Sequence, residues 1–350
     1  MKEFFRKYNL IFGDKHFYLI NIIISFLILS FLEAFGIGLV IPLISTVVGG
    51  YSDLELVNVN RIEYLDTLLI YLNINNGQSI VILISVVFLV KTLLAYFLNH
   101  KIIEFSFNNQ KRIILNISKK YSTSSLIQIQ KKQTSNVIQN LMHNTDTVIL
   151  STLIPVLRIV SESIFLIIML VFLLYLQPYA TITIIFIYTI FVLIFYKFFK
   201  NKIRQTGKLT TISRTSVIKN IQILLSAYQE LQVYNKISYF FSLLKISTNF
   251  MVRNTIIYKS LNILPRYYIE ATFTLLLIFS FGIFPFLGLS MFEIFSVLII
   301  YIVAGIRMFP STANLLSSII QVNNSLFALN LVSKELPINI REKNIKKHRK

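Results

Sequence analysis

The chain has 350 residues, 55% of them hydrophobic, and a formal net charge of +19, with a mean hydropathy of +0.68. That much apolar surface excludes a water-soluble globule and marks a polytopic membrane protein. The absence of cysteine excludes disulfides and thiolate chemistry, and the four histidines, His16, His100, His143 and His348, are scattered without metal-ligand spacing.

A membrane-crossing helix needs about 20 mainly apolar residues. The first such run, roughly 17–48, follows Lys2, Arg6, Lys7 and Lys15. It is too long for a cleavable leader, and no small-residue cleavage site follows it. Toward its outer end it carries Glu33, just before Gly36, Gly38 and Pro42, which loosen or bend the helix. Glu33 reads equally well as a carboxyl hydrogen-bonded at a helix interface or as a functional group. The loop 49–78 sets Arg61 against Asp53, Glu55, Glu63 and Asp66, and Ile62, Leu65, Leu68, Leu69 and Leu72 in it share one face. That pattern predicts a short amphipathic helix at the outer interface.

The second run, 79–99, contains Lys91, whose helical neighbours Val87, Phe88, Leu94 and Ala95 offer it no partner. Segment 100–147 then carries seven Lys/Arg and neither Gly nor Pro. In it Ile103, Phe107, Ile114, Ile117, Tyr121 and Leu126 mark one helical stripe. The third run, 148–176, includes Arg158 and Glu162, and a tight turn leads to the fourth, 179–200. Segment 197–259 carries eleven Lys/Arg, no Pro and Gly207 alone. Helices 2–3 and 4–5 are therefore expected to leave the bilayer as continuous stalks, turn and return, with about 20 extra residues reaching roughly 30 Å. The alternative is a pair of amphipathic hairpins lying on the membrane surface. The fifth run, 256–287, holds Arg266 and Glu270. The sixth, 291–330, holds Arg307 among Val303, Ala304, Pro310 and Ser311, and the tail from Lys334 carries seven Lys/Arg.

The basic residues cluster in the segments of one side, which predicts six spans with both termini cytoplasmic in a plasma (inner) membrane. Most of the charge is then a topology signal beside anionic lipid and not a nucleic-acid face.

Ionisable side chains at a span centre cost about 2.5–3.5 kcal/mol each, so they mark a water-filled path or a paired interior site. Arg158–Glu162 and Arg266–Glu270 are each four residues apart, a spacing at which each pair is able to neutralise itself, although arginine first is the weaker order. Lys91 and Arg307 need a second helix or an anionic ligand. Counted inward at ~1.5 Å per residue, Lys91 falls near mid-membrane, and Arg266 and Arg307 fall in the inner half. A cavity lined by these three cations suits a phosphate or pyrophosphate headgroup. Arg266 would act there as a cavity cation, with Glu270 tempering or orienting it and Glu33 as a further candidate.

Six spans, both ends inside, short outer turns and two long helical excursions resemble the transmembrane domain of an ABC exporter of the type-1 fold. The stretches "FLEAFGIGLVIPLIS", "PRYYIE" and "GIRMFPSTANLLSS", in spans one, five and six, are similar to PglK-type flippases of lipid-linked oligosaccharides. The resemblance runs over about 1–335. It implies an all-α polytopic fold, a transmembrane domain at 1–333 and a basic cytosolic tail at 334–350, where an ATPase domain is normally attached. It implies that Lys91, Arg266 and Arg307 match cavity cations that meet the lipid's pyrophosphate, although the family is expected to have arginine at the position of Lys91. Coupling to ATPase domains would fall near Gln128, Lys131 and Lys132, and near Tyr228, Gln229 and Glu230, with Asp146 matching an acidic residue of the fold. Two chains would pack as a homodimer around a shared cavity.

No phosphate-binding loop is present. The Gly207–Lys208 pair is followed by Leu209 and preceded at the required position by Lys202. The chain is accordingly not expected to be an enzyme by itself or to bind a cofactor, with ATP entering through a partner nucleotide-binding subunit or domain. The expected function is the permease half of an ATP-driven transporter for an anionic lipid-linked glycan. A permease for a peptide or hydrophobic small molecule and a truncated, non-transporting remnant or interaction protein are the alternatives.

Overall fold

The computed structural model of the chain describes residues 16–39, 77–125, 134–176, 178–283 and 291–336. Every regular element among them is helical, as expected where hydrocarbon leaves backbone groups no water to bond. Helix α1 is His16–Gly38 and α2 is Gly77–Ser122. Three pieces follow, α3 Thr134–Gln139, α4 Thr145–Val148 and α5 Ile154–Leu176. They are joined by π-helical turns at Asn140–Asn144 and Ile149–Leu153, with every flanking residue in right-handed helical geometry. Then come α6 Pro178–Ser226, the six-residue α7 Tyr228–Val233, α8 Ile237–Ile283 and α9 Met291–Glu335.

Four helices among the described residues are long and apolar enough to cross a membrane, within Ile20–Gly38, Val81–Ser122, Val137–Leu176 and Tyr301–Glu335. A shorter apolar stretch, Thr189–Phe199, lies in α6. The molecule is thus an all-α protein suited to a membrane. Helices α2, α6, α8 and α9 have 46, 49, 47 and 45 residues. Such helices extend roughly 70 Å at ~1.5 Å per residue, more than twice a hydrocarbon core of about 30 Å. The outer-interface helix expected around Ile62–Leu72 lies outside the described residues, as does the coupling segment with Gln128, Lys131 and Lys132.

Helix α9 contributes to all three apolar clusters. Ala328, Leu329 and Val332 share one cluster with Ile22 and Phe26 of α1, Ile113 and Ile117 of α2, and Val148, Leu153 and Leu157 of the α3–α5 segment. Farther along, Tyr301 and Ala304 meet Ala34 and Ile37 of α1 and Phe165, Met169 and Leu173 of α5. On its other flank Ala313, Leu316 and Ile320 pack on Phe195 of α6 and Leu261 and Ile269 of α8. Between lipid-covered helices this close packing, more than removal of apolar surface from water, drives association.

The buried face of α2 overlaps the expected stripe only in part: Ile117 is buried and Tyr121 packs on the core. Ile103 and Phe107 are exposed, while Ile102, Phe105, Ser106, Asn109, Ile113 and Ile117 face inward. Two polar residues on the inward face conceal it from a hydrophobicity count. Their donors are satisfied within the helix, Ser106 Oγ to the Ile102 carbonyl at 2.6 Å and Asn109 Nδ2 to the Phe105 carbonyl at 2.8 Å.

Prolines and glycines set the local joints. Pro155 has no N–H to give the Ser151 carbonyl four residues back. The Ser325 hydroxyl of α9 lies 2.9 Å from that carbonyl and shares its proton between it and the Val322 carbonyl, also at 2.9 Å, while Thr152 Oγ1 is 2.7 Å away. The π-helical turn ends two residues before this proline, a usual place for a helix to absorb such an interruption. At Gly207 the α6 backbone approaches α9 so closely that a Cβ would lie 2.3 Å from the Asn324 carbonyl oxygen.

Candidate functional site: two charged constellations in the helical bundle

The first constellation joins three helices. Glu33 of α1, with its side chain 3% exposed, accepts two hydrogen bonds from Arg307 of α9, Nε to Oε2 at 3.0 Å and Nη2 to Oε1 at 2.6 Å. Lys91 Nζ of α2 lies 3.3 Å from the same Oε1. The fork geometry is the one guanidinium offers and ammonium cannot. The two cations also rest on aromatic faces, Arg307 over Phe165 of α5 and Lys91 over Phe88 of its own helix, each at 5.0 Å. Such contacts favour a desolvated cation. One carboxylate against two cations leaves the cluster one positive charge in excess. The surplus is reachable, since the Lys91 and Arg307 side chains remain 18% and 38% exposed.

This arrangement corrects one expectation and selects between two alternatives for another. Glu33, Lys91 and Arg307 sit at one level of the bundle, whereas counting inward from the outer ends separated them. Such a count ignores helix tilt and the uncertain start of each span. The partner that Lys91 and Arg307 each require is supplied by another helix of the same chain.

The second constellation is a cavity of about 650 Å³ between α8 and α9. Arg266 and Glu270 line it from α8 together with Asn262, and Asn314 and Ser317 line it from α9. Glu33, Lys91 and Arg307 do not. The common three-cation cavity is therefore divided: Ile306 faces this space while the next residue, Arg307, turns to α1. Successive residues on a helix point about 100° apart, which is why adjacent positions serve different compartments. Pro265 and Pro310 lie inside α8 and α9 here.

The two pairs spaced four apart do not close. Arg266 and Glu270 make no ion pair, and neither has a side-chain hydrogen bond among the described residues. Both are exposed to the cavity. Arg158 and Glu162 also remain apart, and Glu162 Oε1 instead accepts a bond from Asn314 Nδ2 at 3.1 Å. The carboxamide oxygen of Asn262 is buried without a partner. Sequence reading missed Asn262, Asn314 and Ser317. The signal was present in "FPSTANLLS", where Phe309, Ala313 and Ser317 recur at helical spacing on the cavity side.

Away from these sites, α7 forms the tip between α6 and α8. Its Leu231 is buried, and Tyr228, Gln229 and Glu230 are exposed. Beyond them Val233 and Tyr234 are 82% and 73% exposed. The chain reverses at Asn235, which takes φ 50°, and the Lys236 N–H returns to the Leu231 carbonyl at 2.8 Å. This is a left-handed helix cap of the kind asparagine tolerates. The Asp146 carboxylate accepts a bond from Gln110 Nε2, which ties α4 to α2.

No family model matches the chain, and no curated protein is significantly similar to it.

Proposed function

We propose that the chain is the membrane-spanning permease half of an ATP-driven ABC exporter with six spans and cytoplasmic termini, working as a homodimer with a nucleotide-binding partner. The observation that carries this reading is the α6–α7–α8 hairpin. Two helices of 49 and 47 residues are joined by a short tip with large exposed side chains. Helices that overrun a bilayer by roughly 40 Å bring such a tip to where a cytosolic motor docks. Tyr228, Gln229 and Glu230, flanked by Val233 and Tyr234, are its contact residues. Alternation between inward and outward states then follows from a motor that binds one state better than the other.

The cargo is an amphiphile whose phosphate meets Arg266 in the α8–α9 cavity, and a lipid-linked glycan fits that description. The pairing of Lys91 and Arg307 with Glu33 offsets one of their two positive charges and holds both side chains away from Arg266. That pairing favours, as the second reading, an exporter of the same architecture for a less acidic cargo such as a peptide or hydrophobic small molecule.

Co-purification of the full chain tests the proposal. An ATPase subunit and a phosphate-bearing lipid should be recovered with the wild type, and Tyr228→Asp with Val233→Asp should release the ATPase while retaining the lipid. Recovery of the chain without any ATPase, from cells in which it is stably expressed, would sink the motor-coupled reading.

A further inference from the structure

The α8–α9 cavity presents both signs of charge, and each is without a partner among the described residues. Arg266 and Glu270 are one helical turn apart, about 6 Å along the axis. Yet among the described residues no ion pair or side-chain hydrogen bond engages either. Asn262, one turn before Arg266, adds a buried carboxamide oxygen with no donor. A second carboxylate, Glu162 of α5, accepts a bond from the lining residue Asn314 at 3.1 Å.

The signs decide the ligand. A purely anionic group on Arg266 would face the Glu270 carboxylate one turn away, in surroundings where a like charge is costly. A purely cationic group on Glu270 would meet Arg266 in the same way. A ligand that carries both charges satisfies both residues, and its ammonium N–H groups supply the donors that Glu270 and Asn262 lack. The apolar walls, Ile263, Ile306 and Phe309 among them, suit the attached hydrocarbon.

We infer that this cavity selects a zwitterionic headgroup of the phosphoethanolamine class, with phosphate on Arg266 and ammonium on Glu270. The inference rests on the permease reading for the role of the cavity as a cargo site, though not for binding itself. It narrows the cargo from an anionic amphiphile to one whose phosphate is accompanied by an amine.

The test is a titration of the detergent-purified full chain with short-chain diacyl lipids, followed by native mass spectrometry without ATP or partner. Phosphoethanolamine lipid should bind about 10-fold more tightly than matched phosphoglycerol lipid, the order expected for one charge-assisted contact. Acetylating the amine, which leaves the protein untouched, should abolish that preference. Glu270→Gln should also abolish it, and Arg266→Gln should weaken both lipids. Equal affinities for the amine, acetylated and glycerol headgroups on the wild-type chain would overturn the inference. A chain that shows the preference but recruits no ATPase would instead retain the binding site and lose the permease reading.

Discussion

Glu33 is nearly sealed from solvent and holds two cations at once, so its removal should be felt more than that of either partner. Taking one member from a buried ion pair typically costs about 3–5 kcal/mol. The partial exposure of Arg307 reduces this, and Glu33→Gln is expected to cost about 2–3 kcal/mol, read as a lowered melting temperature in detergent. Lys91→Met should cost less than Arg307→Met, because Lys91 makes a single 3.3 Å contact where Arg307 makes two hydrogen bonds. Equal losses for the two single variants would mean that the guanidinium fork contributes nothing. The sequence made Glu33, Lys91 and Arg307 individually conspicuous as charges inside apolar runs. It did not reveal that they meet, because the meeting depends on the relative depth and tilt of α1, α2 and α9, which no single run encodes. The converse failure is equally physical. Arg266–Glu270 and Arg158–Glu162 have the spacing for a pair within one helix, but Asn314 offers Glu162 a bond from another helix. Spacing permits such a pair and does not compel it.

Among the elements, the long helices were legible from segments poor in glycine and proline with steady apolar recurrence: α6 and α8 run unbroken for 49 and 47 residues, while the arm that follows α2 is interrupted by two π-helical turns. On the face that α2 buries, Ile117 and Tyr121 were read correctly and Ile103 and Phe107 were not, because Ser106 and Asn109 share that face and close their own hydrogen bonds. The joints were less visible still. Gly207 stood out as the lone glycine of its segment, but its purpose, close approach to the Asn324 backbone, is a tertiary fact. Gly207→Ala should force α6 and α9 apart and cost about 1–3 kcal/mol, the usual scale of overpacking. An unchanged thermal midpoint would show that the crossing is looser than described. Ser325→Ala should orphan the Ser151 carbonyl that Pro155 leaves free, at about 1–2 kcal/mol. Pairing it with Pro155→Ala should recover most of that loss, since the backbone then has its own donor. If the double variant is no better than Ser325→Ala alone, the hydroxyl does not stand in for the missing amide.

For the molecule as a whole, six spans were read from the sequence. Among the described residues four helices meet the length and apolarity of a span, while α6 keeps an apolar stretch of 11 residues, Thr189–Phe199. The absence of cysteine makes orientation directly measurable. Asn235→Cys, at the α7 reversal, should react with an impermeant maleimide only from the cytoplasmic face, and Ser52→Cys only from the outer face. Labelling of Asn235→Cys from outside and Ser52→Cys from inside would reverse the topology derived from the basic residues, and labelling of both from one side would overturn it. At the end of α9, Lys120 Nζ and the Tyr121 hydroxyl of α2 bond Glu335, at 2.8 Å to its carbonyl and 3.0 Å to its carboxylate. One helix therefore runs from this clamp, past the cavity, to the Glu33 cluster. Because Ile306 belongs to the cavity wall and Arg307 to the charge cluster, a rotation of α9 about its own axis cannot alter one chamber without disturbing the other. Filling the first should shift the balance of arrangements in the second, and the strength of the carboxylate's grip would report on what the neighbouring space contains.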